Sequence, residues 1–141
     1  LELLKSYLDA GLLGLLGLMS FLTLAFTVER YLYFARVDLG SFRRVEDLEI
    51  ALTRHLTVIA TVGANAPYVG LLGTVLGILI TFHDMGQGGA IDTSTIMVGL
   101  ALALKATALG LLVAMPSIVF YNALLRRVDV LKARWGHQAS A

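Results

Sequence analysis

Three long apolar stretches organise this chain. The first runs from Ala10 to Val28 without a charge. The second lies between Arg54 and Asp84, where only His55 and His83 can carry charge. The third lies between Asp92 and Arg126, and its single charge is Lys105. A helix needs roughly 20 apolar residues to cross a hydrocarbon layer about 30 Å thick, and each stretch is long enough. None shows a repeating polar face, so a large soluble helical core is the poorer reading. The pattern predicts an all-α integral membrane protein of one domain. Its spans are expected at about 10–30, 64–83 and 95–122, with cytoplasmic segments at 31–60 and 123–141. The second and third stretches exceed what a bilayer requires. Their cytoplasmic ends, Ala51 to Ala66 and Leu124 to Trp135, are expected to continue as helix; the tail LLRRVDVLKARW keeps helical apolar spacing. Pro67 removes a backbone donor and is expected to kink or restart the second helix.

Charge sets the orientation. Arg30, Arg36, Arg43, Arg44 and Arg54 lie between the first two spans, and Arg126, Arg127, Lys132 and Arg134 lie in the tail. The link DMGQGGAID, residues 84–92, holds no Lys or Arg. The positive-inside rule places the first connection and the tail in the cytoplasm, with the N-terminus and the link outside. The link is short and Gly-rich, so the second and third spans should form an antiparallel hairpin. The segment from Arg36 to Arg54 mixes both signs and reads as a small helical connector, not a catalytic domain.

Composition narrows the function classes. The chain is 57% hydrophobic and 15% charged, against about 25% charged in soluble domains. A formal net charge of +1 argues against a polyanionic partner such as nucleic acid, and the absence of cysteine excludes disulfides, thiolate metal sites and cysteine nucleophiles. No His/Glu cluster has metal-ligand spacing, and no P-loop, nucleophile elbow or dinucleotide fingerprint is present. A non-enzymatic chain without cofactor or metal is expected. No cleavable leader is expected either, because the first apolar run is long, lacks an A-x-A end and closes on Glu29 and Arg30.

Membrane helices associate through small residues that allow close approach. The second span offers Gly70, Gly73, Thr74, Gly77 and Thr81. The third offers Gly99, Ala103, Thr107, Gly110, Ala114 and Ser117, at spacings of 4, 4, 3, 4 and 3 that form one stripe on a helix. The first carries Gly11, Gly14 and Gly17. Three spans make a thin bundle, so a homo-oligomer is expected. Thr74 and Thr107 have two readings: each bonds its own i−4 carbonyl, or the hydroxyls face a cavity and hold water or an acid. Lys105 also has two. A mid-membrane ammonium costs about 2.5–3.5 kcal/mol on insertion scales, so it faces a lumen or an acidic partner, or else it reaches the outer interface or pairs with a backbone carbonyl. No acid lies within a span, which points to a carboxylate on another protein. Lys105 and Thr107 stand about 200° apart on a helix and cannot both point straight into one lumen. His83 lies at the outer edge, and His55 and His137 are expected to be solvated.

Two segments resemble the ExbB/TolQ family. ANAPYVGLLGTVLGILITF, residues 64–82, resembles its second-span signature, and GLALALKATALGLLVAMPSIVFYN, residues 99–122, its third. The Glu29-Arg30 pair also looks like the family. The match is close over the last half of the chain and loose over the first third. The resemblance implies a homopentamer in the inner membrane of a Gram-negative bacterium, N-terminus periplasmic and C-terminus cytoplasmic. It implies a single-span ExbD-like (or TolR-like) partner with a proton-carrying membrane aspartate, and force passed to a TonB-like (or TolA-like) protein. It makes Thr74 and Thr107 the pore-region threonines, and Pro116, Tyr121 and Asn122 structural positions at the cytoplasmic end. An ExbB-type role in TonB-dependent import is the leading expectation. The alternatives are a TolQ-type role in envelope integrity, a self-sufficient channel or transporter, and a plain membrane anchor. Two departures stand out. Leu102 sits where many members have Glu, with Lys105 one turn later, which suggests that Lys105 meets the partner's aspartate or a lipid headgroup. The cytoplasmic insertion is also short.

Overall fold

The computed structural model describes residues 2–88 and 92–140. It contains four α-helices: α1 (Glu2–Arg36), α2 (Val45–Leu52), α3 (Leu56–Gln87) and α4 (Thr93–Ser140), with a short 3₁₀ turn at Leu39–Ser41. No strand occurs among the described residues. Helices α1, α3 and α4 are each long and apolar enough to cross a membrane. At 1.5 Å per residue the 48 residues of α4 reach about 72 Å, more than twice a hydrocarbon layer.

The two ends of the bundle are built differently. At the basic end, where α1 finishes and α2 begins, large side chains form a core of the kind found in soluble proteins. Leu48, Leu52, Ile59 and Leu124 are fully buried there, with Phe34, Leu56, Val128 and Leu131 around them. Trp135 extends this core along α4, and its indole Nε1 donates to the Phe42 carbonyl at 3.0 Å. Trp135→Phe keeps a six-membered ring and loses the pyrrole ring with its bond. It should lower unfolding stability by about 1 kcal/mol, read as a lower midpoint in thermal melts of the detergent-solubilised protein.

Towards the other end, which carries the α3–α4 turn, Leu15, Leu18, Phe21, Leu79, Phe82, Leu104 and Leu112 point outward, as expected of a surface solvated by lipid. The inner faces are small residues. Gly70, Gly73, Gly99, Ala103, Gly110 and Ala114 are buried, so the stripe read from the sequence is the face α4 turns to α3. A Cβ placed on Gly70 would lie 2.7 Å from the Ala106 carbonyl oxygen, and one on Gly77 3.0 Å from the Ala103 Cβ. Gly11, Gly14 and Gly17 behave otherwise: a Cβ on any of them meets nothing within 4 Å, so they take no part in packing inside this chain.

Four expectations need correction. The helix read from Ala51 to Ala66 is broken at Thr53–His55. Thr53 closes α2 by donating its backbone N–H (2.9 Å) and its hydroxyl (2.7 Å) to the Glu49 carbonyl, and His55 takes a left-handed φ of 70° before α3 starts. His55 is not solvated. It is half-buried, with its ring stacked on Phe26 at 4.4 Å between centroids, so aromatic contact outweighs its polarity. Pro67 does not restart the helix, because α3 runs through it from Leu56 to Gln87. The proline leaves one carbonyl of the preceding turn without its helical donor, and the flanking ladder and the packing against α4 hold the helix. The Gly-rich link is also shorter than its sequence suggests, since Asp84 to Gln87 still belong to α3. Its residues 89–91 lie outside the described part.

Candidate functional site

The α3–α4 hairpin brings Thr74 and Thr107 together. Antiparallel packing sets Gly70 against Thr107 and Gly110, and Gly77 against Ala103. Without side chains on the glycines, the helices come close enough for two threonine hydroxyls to bond across the seam. The Thr74 hydroxyl also donates to the Ala103 carbonyl at 2.8 Å, and the Gly70 carbonyl lies 3.4 Å from both hydroxyls. For Thr74 the i−4 bond to Gly70 is the long contact, and the contacts of Thr107 to Thr74 and Gly70 both run across the seam.

Proton counting defines what this pair offers. Each hydroxyl has one proton and two acceptor lone pairs. The Thr74 proton goes to the Ala103 carbonyl at 2.8 Å, so the bond between the two hydroxyls must take the Thr107 proton. The unused capacity is therefore acceptor capacity, concentrated on Thr107. Such a pair welcomes a donor, namely a water or a protonated carboxylic acid. To serve a carboxylate instead, Thr107 must release Thr74 and turn its proton outward. Both residues are half-buried, so the site is neither sealed in the chain nor spread on its surface.

Lys105 does not join this pair. It lies in a crevice between α1 and α4, with Asp9, Leu12, Leu16, Leu102 and Leu109 among the walls. The 200° turn between positions two apart on a helix puts Thr107 on the opposite flank of the seam. Asp9 is the carboxylate that shares this crevice with Lys105. Asp9 sits one residue before the first apolar run, and a search for acids inside the spans passes over it. The signal lies in topology: α1 and α4 run parallel, so the start of α1 stands beside the first half of α4.

Arg30 was legible only as part of a basic flank and of the pair it makes with Glu29. It is 2% exposed. Its Nη1 donates to the carbonyls of Ala51 (2.8 Å) and Leu52 (3.2 Å), and its Nε and Nη2 grip the Glu29 carboxylate at 2.5 Å each. The guanidinium carbon stands 4.4 Å above the Tyr33 ring. Arg30 therefore fastens the C-terminus of α2 to α1. Between this latch and the threonine pair, Ser117 donates to Thr23 at 3.2 Å, and the buried Thr27 hydroxyl has no partner among the described residues. No cluster of metal-binding side chains occurs among the described residues. His83 is exposed near the end of α3, and His137 is exposed in the last turn of α4.

Fold and site together define a three-span helical membrane protein whose hairpin carries a hydroxyl pair in its seam. Residues 41–137 match the family model described as the MotA/TolQ/ExbB proton channel family. The chain is 55% identical over 135 residues to the biopolymer transport protein ExbB of Aquifex aeolicus, covering 96% of this chain and 91% of that one. It is 50% identical over 135 residues to the biopolymer transport protein ExbB of Helicobacter pylori, covering 96% and 93%. Likeness to the Tol-Pal system protein TolQ of Pseudomonas aeruginosa is 40% over 87 residues, covering 62% and 38%. The chain belongs to the MotA/TolQ/ExbB proton channel family.

Proposed function

We propose that the chain is an ExbB-type subunit: a non-enzymatic scaffold of five copies in a Gram-negative inner membrane, enclosing a single-span ExbD-like partner with a membrane aspartate. Proton movement through this assembly energises a TonB-like protein for outer-membrane transport. The N-terminus is periplasmic, and the basic end, with α2 and the tail of α4, is cytoplasmic. The carrying observation is the Thr74–Thr107 pair, half-buried and rich in free acceptor capacity on the flank of the seam turned away from α1. A hydroxyl pair of this kind receives a protonated aspartate by hydrogen bonding and lets it go when the acid ionises, unless Thr107 reorients. The chain has no acid of its own beside the pair, which is why a partner is required. An ExbB-type role is preferred to a TolQ-type role because the ExbB-named relatives match nearly the whole chain and the TolQ relative matches less of it.

Native mass spectrometry of the complex, purified gently from its own membranes, tests the assembly. Five copies retained with two copies of a single-span, aspartate-bearing protein support the reading, and a homo-oligomer that never retains such a protein refutes it. Substitution tests the pair. Thr74→Val and Thr107→Val each delete a hydroxyl at a cost of about 0.5–1.5 kcal/mol in a hydrogen bond to the neutral acid. Proton-driven uptake should fall about twofold to tenfold while assembly persists. Thr107→Ser should retain most of the activity. Uptake in Thr107→Val equal to that of the parent would remove the pair from the pathway.

A further inference from the structure

We propose that Asp9 is the counter-ion of Lys105, and that the two side chains form an intrachain clasp holding α1 against the back of the threonine seam. The level of the two residues follows from the packing. Thr23 of α1 bonds Ser117 of α4, an offset of 94 residues between parallel helices. The same offset sets Asp9 level with Ala103, two positions above Lys105. Side chains on a helix tilt towards its N-terminus, so the Lys105 stem leans back towards the level of Asp9. Both line one narrow crevice, floored by Leu12, Leu16, Leu102 and Leu109. Both side chains are exposed and make no ion pair with one another in this structure, and the four-carbon stem of lysine is free to reach along the crevice.

The surroundings favour closure. Charges in or near a membrane pair with one another or bind water, because a lone charge among leucines is costly. Lys5, one turn before Asp9, lines a separate cavity with Asp84 and Asp92 at the hairpin turn. Lys105 is the cation that shares the crevice of Asp9. The charges of α1 then match those of the hairpin at two successive levels, cation to acids and acid to cation.

The clasp bears on the site through Leu12, three residues below Asp9. A Cβ on Gly73 would stand 3.0 Å from the Leu12 Cδ1, so α1 covers the hairpin one residue from Thr74. Closing Asp9 on Lys105 keeps α1 seated there and leaves the threonine pair open only on its far flank. Asp9 and Lys105 are positioning residues in this scheme, and the clasp does not depend on oligomer size or on the proposed partner.

A double-mutant cycle on the full chain, with the thermal midpoint in mild detergent as readout, tests the clasp. Lys105→Met and Asp9→Asn should each lower the midpoint, because each strands a charge in the crevice. The double variant should recover most of the loss. The exchanged pair Asp9→Lys with Lys105→Asp should recover midpoint and uptake together, and Lys105→Arg should keep both near the parent. Either additive losses in the double variants, or single variants as stable as the parent, would overturn the proposal. Recovery of the midpoint without recovery of uptake would confine the clasp to stability and overturn its positioning role.

Discussion

Gly110→Val should prevent the α3–α4 hairpin from closing, and no folded protein should be recovered from membranes. Gly110→Ala is the measurable form of the same change. A Cβ there would lie 2.6 Å from the Ala66 carbonyl oxygen, 3.0 Å from the Gly70 Cα and 3.1 Å from the Gly70 nitrogen. All three are backbone atoms, so no side-chain rotation relieves the clash and the helices must separate. Separation also stretches the Thr74 bond to the Ala103 carbonyl and pulls the hydroxyl pair apart. Overpacking a tight interface costs about 1–3 kcal/mol for added methylenes, and a backbone clash should take Gly110→Ala to the upper end. The control is Gly14→Ala, where a Cβ meets nothing within 4 Å. There the better helix propensity should be neutral or add up to about 1 kcal/mol. Equal thermal midpoints for Gly110→Ala and the parent would show that the helices are further apart than this packing requires.

The sequence revealed what depends on periodicity along one helix, and hid what depends on two helices at once. The apolar runs marked the three long helices, and the spacing from Gly99 to Ser117 marked the face of α4 that meets α3. Thr74 and Thr107 were each legible as polar residues in a small-residue stripe. Their bond was not, because it depends on how two helices are rotated about their axes when they dock. The Asp9–Lys105 relation was hidden for a similar reason. Asp9 lies outside the apolar run by sequence, and only the parallel packing of α1 and α4 brings it beside Lys105. His55 and Pro67 were misread through single-residue rules. An imidazole was taken as polar before its aromatic neighbour was known, and a proline expected to kink or restart the helix does not restart it, because α3 continues through it.

Arg30 presents the same lesson in a form that can be measured. By the charge rule it is one more basic residue at the end of a span, replaceable by lysine. By structure it is a buried fork whose donors serve two chain segments. Two carbonyls at the C-terminus of α2 and both oxygens of Glu29 depend on it, and Tyr33 lies under its plane. Removing it strands the Ala51 and Leu52 carbonyls in the core beside Leu48 and Leu56. Leaving these two carbonyls unpaired costs about 1–3 kcal/mol each, while the Glu29 carboxylate, 43% exposed, is taken up by water. Arg30→Met should therefore lower unfolding stability by that order. Arg30→Lys should recover little, because an ammonium is a point charge that cannot meet two carbonyls and a carboxylate in one plane. Glu29→Gln should cost less, since Glu29 is partly exposed and its loss leaves the α2 carbonyls served. Amide hydrogen exchange separates this latch from a general loss of stability. Protection of α2, Val45–Leu52, should fall before that of the α3–α4 seam, because α2 is held by Arg30 and a few leucines while the seam is closed along its length by glycine. Uniform loss of protection across all helices in Arg30→Met would mean that α2 unfolds only with the whole bundle, and that Arg30 supports the bundle and does not latch α2 in particular.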